Sequence, residues 1–263
     1  MNKSVHISFI GAGNIATQLA LAFHRYNVII DSIYGPTKSH VELLAEQVHA
    51  KAICELSAIN SDSDFYFLCV PDNAIKEVIS KMKVAKEAVI VHCAGSVHLN
   101  VFSTSFEHFG VFYPFQTFTK NKQIDFNKVN IFCEANSPEI LGKILDLAKI
   151  ISHHVLVLDS NQRLNLHLAA VMSCNFTNHL LALTYKICDE NKLDFKYILP
   201  LIHETLQKAE NGDPQINQTG PAIRGDHSTI EKHKELLETK PVLKNIYETL
   251  TYSIQLTKNK NEL

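Results

Sequence analysis

Gly11-Ala12-Gly13-Asn14-Ile15-Ala16 stands between an apolar run, Val5 to Ile10, and an amphipathic run, Asn14 to Tyr26. A glycine pattern of this type means little alone, but between a strand and a helix each position has a task. Gly11 permits the tight turn, Gly13 lets backbone approach a pyrophosphate, and Ala16 lets helix and strand pack closely. The helix N-terminus, from Asn14 and Ile15 onward, then offers free N–H groups to phosphate. Outward from this turn, β-branched and aromatic runs alternate with helical ones, the rhythm of parallel βαβ units. Strands are expected at Val28 to Tyr34, Phe65 to Val70, Ala88 to His92, Gly110 to Tyr113, Val129 to Cys133 and His154 to Leu158. Helices are expected at Ser39 to His49, Asn73 to Met82 and Pro138 to Ile151.

From about Ser160 strands give way to long helical patterns: Asn161 to Asn191, Asp194 to Glu210 with a bend at Pro200, Ser228 to Leu237 and Pro241 to Leu256. The fold class is therefore α/β, a Rossmann-like, mostly parallel sheet over residues 1–159 followed by an all-α domain over 160–263. The middle of the first long helix, Leu166 to Leu183, is apolar on most sides and must be surrounded by protein. Lys258 to Leu263, rich in Lys and Asn, is expected to fray.

With 46% hydrophobic and 20% charged residues the chain is ordinary globular material. A formal net charge of −2 argues against binding nucleic acid by phosphate neutralisation, leaving a small molecule as the expected partner. The six cysteines form no CxxC pair, which suits a reducing, cytoplasmic setting. No apolar run reaches membrane-spanning length, and Met1 to Val5 lacks the features of a signal peptide. Asn175-Phe176-Thr177 matches a glycosylation acceptor only formally. No histidine spacing supports a metal site.

A site selective for NAD places a carboxylate at the end of the second strand. Here that position reads Tyr34-Gly35-Pro36-Thr37-Lys38-Ser39. The hydroxyls of Thr37 and Ser39 and the cation of Lys38 suit a 2′-phosphate, hence NADP, although Ser and Thr also serve as helix caps. Two more loops leave the carboxyl ends of strands, where open α/β sheets bind ligands. These are Val70-Pro71-Asp72 and Cys93-Ala94-Gly95-Ser96, in which Ala94 and Gly95 can bring backbone near the nicotinamide.

Taken with Thr219-Gly220-Pro221, Arg224-Gly225-Asp226 and His233, these motifs resemble a family of NADP oxidoreductases. Its members couple a Rossmann-like domain to a C-terminal helical domain of unassigned function. More distantly the plan is similar to deazaflavin-dependent NADP reductases, pyrroline-carboxylate and ketopantoate reductases and the 6-phosphogluconate dehydrogenase-like superfamily. The resemblance implies a cofactor in the first domain, a substrate cleft between the domains, and a homodimer through the helices. Two departures stand out. The lysine that related hydroxyacid dehydrogenases carry on the long helix is absent from Leu164 to His179, and Tyr113-Pro114-Phe115-Gln116 stands where a His-Pro pair is expected.

Hydride transfer asks the protein to position the nicotinamide and to supply or remove one proton. On the long helix His167, Val171, Cys174, Asn178 and Leu181 share one face, and Leu168, Met172, Asn175, His179 and Ala182 another. His167 is either the general acid or a satisfied core histidine. Asn178, like Asn175, bonds a ligand or neighbouring backbone. Arg224 either grips a substrate carboxylate or pairs with Asp226, which can also cap the next helix. The expected function is an NADP-dependent oxidoreductase acting on an unidentified small substrate. The rival readings are a non-catalytic NADP sensor and, more remotely, a helical interaction module.

Overall fold

The computed structural model describes residues 4–59, 62–119 and 122–257. Lys258 to Leu263, expected to fray, lie outside the described residues, as does Met1 to Lys3 of the N-terminal segment. In chain order the elements are β1 (His6–Ile10), α1 (Asn14–Arg25), β2 (Ile29–Tyr34), α2 (Lys38–Gln47), β3 (Lys51–Ile53), β4 (Phe65–Leu68), α3 (Ile75–Lys81), β5 (Val89–His92) and β6 (Phe109–Phe115). There follow β7 (Asn130–Ala135), α4 (Pro138–Lys149), β8 (Val155–Val157), α5 (Ser160–Ala170), a π-helical stretch (Val171–Phe176), α6 (Thr177–Glu190), α7 (Leu199–Asn211), α8 (Pro221–Arg224), α9 (His227–Leu236) and α10 (Pro241–Thr257).

The strands form one eight-stranded sheet in the order β3-β2-β1-β4-β5-β6-β7-β8. All neighbours are parallel except β6 and β7. Alternation along the strands explains the layering. Ile7 and Phe9 of β1 with Phe65 and Phe67 of β4 pack under α1, α2 and α4. Ile10, Tyr66, Leu68 and Tyr113 face the other way, with Ile75 and Ile79 of α3. The order reverses between β1 and β4, so both neighbouring carboxyl ends open on the same crevice, the position where such sheets bind ligands.

The three-residue β3 escapes the sequence reading because two of its residues are exposed and it carries no alternating signal. Pro200 does not bend a helix. It occupies the first turn of α7, where its missing N–H costs no hydrogen bond. The long helix, expected from Asn161, begins at Ser160 with Asp159 as its cap. Asp159 accepts from the N–H of Gln162 at 2.8 Å, and the Gln162 side chain accepts from the N–H of Asp159 at 3.0 Å, a reciprocal box. It is not one regular helix, because the wider π turn interrupts it, with the Ser173 hydroxyl donating back to the Ala169 carbonyl.

The chain divides into two compact units, one ending at Cys174 and one beginning at Asn175. In the second, α8, α9 and α10 pack together, and Tyr185 of α6 meets Phe195 in the turn before α7, ring centres 5.5 Å apart. The expectation that the apolar helix is surrounded by protein is not met within this chain. Among the described residues, Leu164, Leu168, Met172 and Phe176 are exposed.

Candidate functional site

At the end of β1, Gly11 takes a φ of +124°, a region few side chains enter. Its N–H donates to the Tyr34 carbonyl at 2.7 Å, and a Cβ there would stand 2.3 Å from the Cys69 carbonyl oxygen. The turn is thus clamped between β2 and the loop after β4. Gly13 caps α1 with no side-chain hydrogen bond, no acid occupies the first turn, and a Cβ on Gly13 would meet nothing within 4 Å. Open space before unshared N–H groups with no competing carboxylate is what a pyrophosphate needs. Ala12 packs beside Gly35, and the Asn14 amide donates to the Phe118 carbonyl at 3.0 Å, holding the loop after β6 alongside α1.

Thr37, Lys38 and Ser39 are exposed at the start of α2, which also lacks an acid in its first turn. The only ion pair of Lys38 among the described residues is with Glu42 at 3.7 Å, on a side chain 77% exposed, so its ammonium is available to an anion. Pro71 and Asp72 follow β4 and are exposed, with Val70 half-buried before them. Ala94 and Gly95 follow β5. The Ser96 hydroxyl donates to the Asp72 carboxylate and ties these two loops together. Every residue expected to hold the cofactor therefore lies along one carboxyl edge of the sheet.

On that edge the first unit brings together three residues far apart in sequence. His167 of α5 lies over Gly95, so close that a Cβ at 95 would be 2.6 Å from its Nδ1 and 2.9 Å from Tyr113 Oη. Tyr113 Oη and His167 Nδ1 are 3.0 Å apart, with the rings edge to face. Burial pushes the Tyr113 phenol up to about 12, the nearby Arg163 pulls it down and Asp72 pushes it further up. The phenol is protonated at neutral pH.

One helical turn before His167, Arg163 is only 1% exposed. Its guanidinium pairs with Glu134 of β7 and donates to the Val97 carbonyl at 2.6 Å and to Ser160 Oγ at 3.2 Å. Glu134 also accepts from the Ser160 N–H at 3.0 Å, so the ion pair fastens the start of α5 to the sheet. His92, at the end of β5, is fully buried against Phe102. Burial, then Arg163 and His98, lowers it to about 3, so the ring is neutral, and its Nδ1 accepts from the Ala94 N–H at 3.2 Å. Cys69 and Cys93 touch beneath the glycine turn, sulfurs 3.6 Å apart, and burial raises the Cys93 thiol well above its ordinary value.

Asn178 and Arg224 belong to the second unit. Asn178 is exposed on α6, and Arg224 is exposed on α8, its guanidinium in no hydrogen bond or ion pair among the described residues. Asp226 caps α9, accepting from the N–H of Thr229 at 3.1 Å and from its hydroxyl at 2.7 Å. His233 Nδ1 and Tyr247 Oη are 2.9 Å apart between α9 and α10. No described group of three or more His, Cys, Asp or Glu could hold a metal ion, and no described helix is long and apolar enough to cross a membrane. The sequence reading missed Arg163 and Glu134 altogether and noted Tyr113 only as a departure. Its one usable signal was an aromatic hydroxyl near the carboxyl end of an apolar strand.

A candidate NADP oxidoreductase from Bacteroides fragilis is 38% identical, with a TM-score of 0.89, covering 96% of this chain and 98% of that one. This chain belongs to the same NADP oxidoreductase family. Residues 6–95 match the family described as NADP oxidoreductase, coenzyme F420-dependent, and residues 129–254 match a domain of unknown function, DUF2520. A Thermotoga maritima protein is 22% identical (TM-score 0.75; 95% of this chain, 99% of that one). An imine reductase from Myxococcus stipitatus in complex with NADP⁺ is 13% identical (TM-score 0.68; 97% and 95%). These last two share the fold. No curated protein matches the sequence. NADP is the family's nucleotide, and the open Gly13 cradle, the uncapped α1 terminus and the acid-free loop after β2 fit it. The coenzyme F420 in that family's description is not assigned to this chain, because the match covers residues 6–95 alone.

Proposed function

We propose that this protein is an NADP-dependent oxidoreductase in which His167 exchanges the proton that accompanies reduction or oxidation of an unidentified small substrate. The observation that carries this reading is the seat of His167 over Gly95, on the carboxyl edge that also carries the glycine turn. When bound, NADPH supplies the hydride. The chain's own residues do the rest. The N–H groups from Asn14 to Ala16 hold the pyrophosphate, and Thr37, Lys38 and Ser39 take the 2′-phosphate. The backbone of Val70, Pro71, Asp72, Ala94 and Gly95 shapes the edge where nicotinamide lies. His167 is half-buried, and an imidazole can both give and take a proton. Asn178 and Arg224 remain candidates for substrate contacts, the amide as a hydrogen-bonding group and the guanidinium as a fork for a carboxylate.

The helical unit supports a homodimer as the working form. Among its described residues only Cys188, Ala222 and Ile230 are buried hydrophobics, too few to stabilise a separate unit of this length. A second copy laid over its exposed Phe176, Tyr185, Leu201 and Leu206 provides the missing cover, and light scattering on the purified chain tests it: a monomer at micromolar concentration overturns this part. Six free thiols support a reducing compartment such as the cytoplasm.

The function itself is tested by titrating NADPH and NADH by fluorescence, then following NADPH loss with a broad panel of carbonyls and imines. Turnover that drops by about 10²–10⁴-fold in His167→Gln, with NADPH affinity unchanged, is the expected result. Tight NADPH binding without turnover of any compound overturns the enzyme and leaves the sensor.

A further inference from the structure

We infer that Tyr113 is a positioning residue that locks His167 in a single neutral tautomer, with Nδ1 as the acceptor and the proton on Nε2. This deepens the reading of His167 as the proton-exchanging group. The phenol of Tyr113 is buried, and a buried hydroxyl proton without an acceptor is costly. Among the described residues the sole hydrogen-bond partner of Tyr113 Oη is His167 Nδ1, at 3.0 Å. The phenol must therefore donate. Nδ1 then accepts that hydrogen bond through its lone pair and cannot carry a proton of its own, so the neutral ring keeps its hydrogen on Nε2.

Three features hold this geometry. Gly95 leaves the path between the two groups clear, since a Cβ there would stand within 3 Å of both Oη and Nδ1. The Tyr113 ring is wedged edge-on against Phe115, centres 5.9 Å apart. Arg163, one turn before His167 on α5, is fastened to Glu134 and to the Val97 carbonyl, which fixes the rotation of that turn. Burial keeps the phenol in its protonated, donating form well beyond neutral pH. The consequence is directional: with Nδ1 engaged by Tyr113, Nε2–H is the ring position left to hydrogen-bond a substrate.

The test is a long-range ¹H–¹⁵N correlation spectrum of the full chain with ¹⁵N-labelled histidine, recorded with the ring neutral. The His167 signals are identified by their loss in His167→Gln. The wild type is expected to show His167 with a protonated-type Nε2 and an unprotonated-type Nδ1, and Tyr113→Phe, which removes one oxygen and keeps the ring, is expected to average the two signals. A wild-type ring protonated on Nδ1, or a Tyr113→Phe spectrum identical to the wild type, overturns the inference. If Tyr113→Phe fails to fold, the wild-type spectrum alone decides. With any carbonyl or imine that is turned over, kcat in Tyr113→Phe is expected to fall about tenfold, the worth of one hydrogen bond, while the KM for NADPH holds. Because the spectrum needs no substrate, a failed panel sinks the enzymatic reading without touching the tautomer, and a wrong tautomer sinks this inference without touching turnover.

Discussion

His167 sits on Gly95 with no room for a single added carbon: a Cβ at position 95 would fall 2.6 Å from Nδ1 and 2.7 Å from Cγ of the imidazole. Gly95→Ala must therefore push the ring off Tyr113. The expected cost is about 1–3 kcal/mol of stability from overpacking, read by urea denaturation. The His167 side-chain NMR signals should move as well. Stability and spectrum both unchanged would mean that the imidazole is free to swing away.

The two glycines of the turn should respond oppositely. Gly11→Ala places a side chain at positive φ and against the Cys69 carbonyl, so a loss of about 2–4 kcal/mol is expected in chemical denaturation. Gly13→Ala meets no atom and should change stability by no more than about 1 kcal/mol, the scale of an N-cap exchange. It should nevertheless weaken NADPH binding at least tenfold, because the added methyl occupies the pyrophosphate's place. Equal stability losses at both positions would refute this account of the turn.

Lys38→Ala removes the cation assigned to the 2′-phosphate. NADPH affinity is expected to drop about tenfold, equivalent to about 1.4 kcal/mol, while NADH affinity stays the same. Fluorescence titrations of both nucleotides at fixed salt measure this, and a parallel loss for NADH would remove Lys38 from the phosphate site.

Glu134→Gln leaves the buried Arg163 guanidinium without its counter-charge. A loss of about 3–5 kcal/mol is expected from the single change. The double variant Glu134→Gln with Arg163→Met, which removes the stranded charge, should recover part of it. A double-mutant cycle in urea checks this, and strictly additive losses would mean that the pair does not act as a unit.

The buried His92 gives the fold a pH dependence whose sign follows from its lowered value. Folded, the ring stays neutral down to about 3, whereas unfolded it takes a proton below 6.5. The unfolded state therefore binds the extra proton, so this group's contribution is intact above 6.5 and is lost as pH falls toward 3, by at most about 1.4 kcal/mol per pH unit. His92→Gln should flatten the stability curve between pH 6.5 and pH 4.5 relative to wild type. Parallel curves for the two proteins would contradict this.

The alternation of strand and helix, the glycine turn, the absence of an acid after β2 and the change to helices at Ser160 are all legible in the residues themselves. Each is a local pattern, written in residues a few positions apart, and backbone geometry translates such patterns directly. The three-residue β3 and the π turn lay below that signal. The convergence of positions 95, 113 and 167 comes from folding, because strand order and helix packing set such meetings and no spacing encodes them. The same holds for Arg163. A charged residue on a helix reads as solvated until folding brings Glu134 and the Val97 carbonyl to it, and burial with both partners is what turns it into the anchor beneath His167.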